Sequence, residues 1–198
     1  MSTHVHTIWS LPVVKAALGV PDAETGRDTR IEEIADAVSA FIDKYTGRQF
    51  VTRGVSEVLD GDGCAELQLL HAPVVGGLTS LTITRAEGQA AETILSTAYT
   101  LVADRGRLRL LYGDVFTKGF GNVAVAYAAG YGAQDAVTIP RDISRVGLQM
   151  TRFEFQVDDV GAGASSTMTV QGHHYTPRSV WPAFVWDVLN QWRRRGLG

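Results

Sequence analysis

Cysteine is nearly absent from this chain. Cys64 is the only one in 198 residues, so no intramolecular disulfide can form and no cysteine pair can hold a metal. Long apolar runs are missing as well: nothing approaches the roughly 20 residues that span a bilayer. Met1 to Ser10 has neither the basic start nor the extended apolar core of a secretory signal. The expectation is a protein made in the cytoplasm, with no membrane partner. An excess of basic charge is also lacking, since 18 Lys and Arg face 21 Asp and Glu for a net charge of −3. Coating nucleic acid requires many cations to displace phosphate counterions, and that class is disfavoured.

What is present describes an ordinary globular chain, 45% hydrophobic and 20% charged, which excludes disorder as the main state. Its length allows one domain with a real core or two small modules. The charge is unevenly spread. Asp22 to Asp36 is acid-rich, whereas the chain closes with Arg193, Arg194 and Arg195. That triplet suits contact with phosphates or an acidic partner; it equally suits a solvated helix end whose cations complement the dipole.

The clearest local signal is Thr29 to Phe50. Ile31, Ile34, Ala35, Val38, Phe41, Ile42 and Tyr45 recur at three- and four-residue steps, which places them on one helix face. Thr29 and Glu32 have the spacing of a capping box, and Gly47 sits where a left-handed cap ends a helix. A shorter helix is predicted from Ser10, as N-cap, to Gly19, with Pro12 tolerated in the first turn. From Val51 the period changes to two. Strands are predicted at 55–60, 65–70, 78–85, 97–102, 107–112 and 122–128. The Asp60-Gly61-Asp62-Gly63 turn reads as joining the first two in a hairpin, and Pro73 with Gly76-Gly77 as a break before the third. Helical spacing returns from Pro140 to Gln156, followed by a Gly/Ser-rich segment at 158–172 that reads as a loop or extended arm. A last helix carries Trp181, Phe184, Val185, Val188, Leu189 and Trp192 on one face.

The predicted architecture is α+β: N-terminal helices in 1–50, an antiparallel β-barrel or sandwich-like module in 51–131, and C-terminal helices in 132–198 that pack with 1–50 as one helical domain. Chemical motifs are weak throughout. His4 with His6, and His173 with His174, lack the rigid frame of a zinc site. The cluster 116–121 lacks the strand, GxxxxGK[ST] and helix arrangement of a phosphate loop. Asp158, Ser166 and His173 have no nucleophile elbow to bring them together as a hydrolase. No catalytic, cofactor-binding or metal residue is predicted. Arg107, Arg109 and Tyr112 are the closest approach to a β-module surface for nucleic acid.

The segments SLPVVKAALGV, IEEIADAVSAFIDKYTGRQF, NVAVAYAAGYG, VTIPRDISRVGLQMTRFEFQ and WPAFVWDVLNQWRR occur in the order seen in the head-tail connector family of tailed double-stranded DNA phages and gene-transfer particles. These proteins are also called head-completion or adaptor proteins, and the chain resembles them over residues 10 to 195. The resemblance implies a structural, non-enzymatic subunit of the virion neck: a homo-oligomeric ring, typically of twelve, beneath the portal protein. Such a ring offers a platform to the next neck or tail protein and lets DNA pass without sequence-specific binding. Phe41, Tyr45, Trp181, Phe184, Trp192, Arg193, Arg194 and Arg195 are then the candidates for subunit or partner contacts. A tail-terminator or tail-tube subunit is the alternative within that class; a small nucleic-acid-binding β-barrel is the alternative outside it.

Overall fold

A computed structural model describes residues 7–161, 168–170, 173–175 and 181–193. The chain is α+β and divides into two compact units, one formed by 1–48 with 132–198 and the other by 49–131.

The first unit is built on four helices: α1 (Leu11–Leu18), α2 (Asp28–Thr46), α3 (Arg141–Gly161) and α4 (Ala183–Trp192). Helix α1 closes on Gly19 with φ 75°, and α2 on Gly47 with φ 66°, whose N–H donates to the Asp43 carbonyl. Only glycine reaches that left-handed region without strain. On α2 the residues Ile31, Ile34, Ala35, Val38 and Ile42 are buried, facing the partners the apolar period requires. Phe41 and Tyr45 fall at the edge of that stripe and are half-buried. Ser39, Thr46 and Thr151 are buried polar groups, and each hydroxyl donates to the carbonyl four residues back, so none is left unsatisfied.

The capping box does not form. Helix α2 begins at Asp28, with Arg27 in the cap position and no capping side chain, so Thr29 lies inside the first turn. The reason is the loop before it: the buried Lys15 ammonium donates to the Asp22 carbonyl at 3.0 Å, the Glu24 carbonyl at 2.6 Å and Asp28 Oδ1 at 2.8 Å. Those bonds draw Asp28 onto the helix start. Ser10 likewise precedes α1 without a side-chain cap bond.

Helix α3 starts one residue after Pro140, whose carbonyl accepts the Ser144 N–H at 3.0 Å. It runs to Gly161, so the first part of the segment read as a loop is helix; after Gly147 neither Pro nor Gly occurs before Gly161. Beyond it, β8 (Met168–Val170) and β9 (His173–Tyr175) pair antiparallel, and the rest of 158–172 lies outside the described residues. The N-terminal segment is locked onto α3 by Trp9. Its Nε1 donates to Ser144 Oγ at 2.8 Å, and its ring occupies the space a Cβ on Gly147 would need.

The second unit contains β1 (Arg53–Gly61), β2 (Glu66–Gln68), β3 (Val74–Ile83), β4 (Glu92–Thr93), β5 (Tyr99–Val102), β6 (Arg107–Leu110) and β7 (Gly119–Ala129). They form two antiparallel sheets, β1-β7-β3-β4 and β2-β6-β5, rather than a closed barrel. One apolar core, including Leu81, Leu108, Phe116, Val125 and Tyr127, draws on both.

Two strand expectations are corrected here. Strands β1 and β2 are not hairpin partners: β1 pairs with β7 and β2 with β6, so the Asp-Gly turn hands the chain from one sheet to the other. Turn chemistry reports a reversal, whereas the partner is decided by which distant face completes the core. Gly76 and Gly77 do not break a strand either. With φ of 70° and 88°, they sit at a register shift inside β3 between Val75 and Leu78, the irregularity that positive-φ glycine permits.

Candidate functional site

The densest aromatic surface lies in the helical unit between α2 and α4. Phe41 and Tyr45 are four residues apart, hence neighbours on one face of α2, and their rings stack with centroids 5.8 Å apart. Trp181 meets Phe41 edge-on at 4.6 Å. Trp186 completes the group, 5.4 Å from Tyr45 and 5.5 Å from Trp181. The polar tips are engaged as well: Tyr45 Oη donates to Asn190 Oδ1 at 2.7 Å, and Arg193 lies 5.7 Å over the Tyr45 ring, within cation–π reach.

Helix α4 is pinned at both ends. Trp181 Nε1 donates to Glu154 Oε1 at 3.0 Å, and Trp192 Nε1 to Asp142 Oδ2 at 2.6 Å. Asp142 and Glu154 are twelve residues apart on α3, about 18 Å along its axis, so α4 runs antiparallel to α3. At the Trp192 end Arg48 Nε donates to the Trp192 carbonyl at 2.9 Å, with its guanidinium 5.9 Å from the indole. The core of α4 is Val185 and Leu189. Trp186 flanks that stripe toward α2; Phe184 and Val188 flank it on the other side, toward the start of α3.

Grooves border the helices, two of them beside α4 and the segment leading into it. One of about 360 Å³ is lined by Arg30, Glu33, Phe41, Glu154 and Trp181 among others. The second, about 490 Å³, has Val146, Val188 and Phe184 as apolar lining and Arg141, Asp142, Arg145 and Gln149 as polar lining.

Of the candidates named from sequence, the structure brings Phe41, Tyr45 and Trp181 into one cluster with Arg193 beside it. Trp192 stands apart at the other end of α4, and Phe184, 42% exposed, lines the second groove. Arg194 and Arg195 lie outside the described residues. Sequence reasoning missed Trp186, because it falls next to the Val185–Leu189 stripe and not on it. The available signal was that a large aromatic beside a buried stripe packs against a neighbouring helix.

The chemical candidates divide differently. His4, His6 and Ser166, together with the side chains of Asp158, His173 and His174, lie outside what is described. Among the described residues no group of three His, Cys, Asp or Glu stands together as metal ligands, and no helix is long and apolar enough to cross a membrane. Cys64 is exposed; its bond with Asp62, and that carboxylate's charge, push the thiol pKa up, away from a reactive thiolate. Arg107 and Arg109 do share an exposed face of β6, but Arg107 lies 3.6 Å from Glu66, which neutralises half of that patch. Tyr112 stands 89% exposed.

These features define a class: a two-unit α+β protein whose helical unit carries an aromatic cluster between α2 and α4 and, among the described residues, no group of metal ligands. The chain belongs to the head completion protein family, whose sequence model matches residues 7–195. Comparison with curated proteins gives no match. Among solved structures, the chain is similar to a subunit of the neck of an empty GTA particle computed with C6 symmetry. That match has 20% identity and TM-score 0.68, covering 100% of this chain and 96% of the other. A subunit of the virion of a native gene transfer agent particle matches at 20% identity and TM-score 0.70, covering 100% and 95%. A subunit of the neck of the native particle, computed with C12 symmetry, matches at 20% identity and TM-score 0.61, covering 97% and 96%.

Proposed function

We propose that this chain is a structural head-tail connector subunit of a phage-like particle. It assembles as a ring in the neck beneath the portal protein, receives the next neck or tail protein on its far side, and forms part of the DNA conduit. The observation that carries this reading is the family match across residues 7–195, with whole-chain likeness to neck subunits as support. A ring of twelve satisfies both the C6 and the C12 symmetry of those necks. The role is one of assembly and not catalysis, and the two sheets, sharing a core, act as a sandwich-like module.

The acidic balance of the chain fits a conduit, because a strongly basic lumen would hold DNA by counterion release and slow its exit. Ring closure needs complementary surfaces on each subunit, and the aromatic cluster around Phe41, Tyr45, Trp181 and Trp186 is suited to contacts of this kind. The test is cryo-electron microscopy of purified particles made with and without the chain. A ring of density below the portal, present only with the chain and accompanied by tail attachment, is the expected result. Absence of the chain from intact, tailed particles would reject the reading.

A further inference from the structure

The helical unit carries opposite charges at opposite ends. At the end where α2 begins and α3 finishes, marked by Arg27 lying 6.0 Å over the Phe155 ring, the loop 21–26 projects with every residue exposed. It presents the Asp22 carboxylate and that of Glu24, which lies 3.4 Å from Arg27 Nε in a half-exposed pair that a second partner can share at little cost. Its backbone is held in place, because Lys15 donates to the carbonyls of both residues, and both side chains are exposed.

At the other end, where Trp192 ties Arg48 to Asp142, Arg141 and Arg145 occupy the first turns of α3. Both are exposed, and among the described residues neither has a carboxylate within ion-pair distance. Asp142 does not serve them: Oδ2 accepts from Trp192 and Oδ1 from the Ile143 N–H. A cation at a helix N-terminus opposes the helix dipole, so this placement is not explained by the stability of α3. Between the arginines and α4 runs the groove of about 490 Å³ floored by Val146, Val188 and Phe184.

We propose that this basic, apolar-floored groove receives the acidic α1–α2 loop of a second copy of the chain. Arg141 and Arg145 pair with Asp22 and Glu24, while Val20, Pro21 and Ala23 cover the groove floor. The two surfaces cannot meet within one subunit, because the 19 residues of α2 hold the ends about 28 Å apart. Two different complementary patches on one chain generate a head-to-tail contact, the only kind that closes a cyclic ring of more than two members. The inference rests on the ring reading above and specifies which surfaces join.

The experiment uses particles assembled with the full chain. Three variants are compared: Arg141→Glu with Arg145→Glu, Asp22→Arg with Glu24→Arg, and all four together. Copies per particle are counted by quantitative mass spectrometry, and thermal unfolding checks the fold of each. Either reversal alone is expected to lower the count by about tenfold or more, and the combined variant to restore it to within about twofold, because like charges repel and exchanged charges attract again. A cross-link gives an independent reading: Glu24→Cys with Arg145→Cys, in a Cys64→Ser background, should give a ladder of disulfide-linked subunits on oxidation.

A groove reversal that acts while the loop reversal is silent overturns the proposal in favour of a different acidic partner. Reversals that are both silent, or a cysteine pair that fails to link at normal copy number, also overturn it. In those cases ring density in the neck of unmodified particles leaves the connector reading standing, whereas its absence there would remove that reading itself.

Discussion

The indole of Trp181 meets the ring of Phe41 edge to face, with centroids 4.6 Å apart and planes at 70°. This contact joins Trp181, two residues before α4, to the half-buried margin of α2 across 140 residues of sequence. It closes the Phe41, Tyr45, Trp181 and Trp186 cluster, so the cluster's integrity can be measured through this pair.

A double-mutant cycle with Phe41→Ala and Trp181→Ala should return a coupling of about 1 kcal/mol in urea unfolding, the usual worth of an aromatic pair beyond its buried area. Tryptophan fluorescence follows the transition. Additive single effects would mean that the two rings are merely adjacent.

Gly147→Ala tests the lock between Trp9 and α3. Helix propensity alone favours alanine by about 1 kcal/mol. The added Cβ would lie 2.0 Å from the Trp9 ring, and overpacking of that kind costs about 1–3 kcal/mol or more. The clash decides the sign, so the variant should melt lower than the parent, and Trp9→Leu in the same chain should recover part of the loss.

Lys15→Met should destabilise the helical unit by about 2–4 kcal/mol, since it leaves two carbonyls and a carboxylate without their shared donor. Methionine keeps the apolar stem, so the loss isolates the ammonium. Hydrogen exchange should show the largest new opening at 20–28. An unchanged exchange pattern there would mean that the loop holds its shape by other bonds.

Arg85 and Asp114 predict an acid limb for the β unit. The guanidinium donates to both Asp114 oxygens, at 2.9 and 2.6 Å, and holds that carboxyl below its usual range. A depressed folded-state pKa stabilises fully above the unfolded value of about 3.9 and is lost as pH falls through the folded value. Unfolding measured between about pH 5 and pH 2 should therefore steepen on acidification, and Asp114→Asn should flatten that limb. Both groups are partly exposed, so added salt should weaken the effect.

Local elements were legible in the sequence because their causes are local. The apolar period marks the buried stripe of α2, and Gly19 and Gly47 mark the ends of α1 and α2. Alternation located most of the strands, but not the short β4. Partner choice was not legible. β1, which ends at Gly61, pairs with β7, which begins only at Gly119, and nothing in the Asp60–Gly63 turn distinguishes that outcome from a hairpin with β2. The start of α2 was displaced for a related reason: a lysine thirteen residues upstream competes for Asp28.

The surfaces divide in the same way. Apolar period and the order of elements determined the α+β class, and the segments from SLPVVKAALGV to WPAFVWDVLNQWRR carried the connector resemblance, because both depend on short-range pattern along the chain. Tertiary structure alone decided that Trp186 joins the aromatic cluster while Trp192 leaves it. It alone placed the acidic loop and the α3 arginines at opposite ends of one helical body. The first follows from the antiparallel packing of α4 on α3 and the second from that of α2 on α3, each set by side chains distant in sequence filling a shared core.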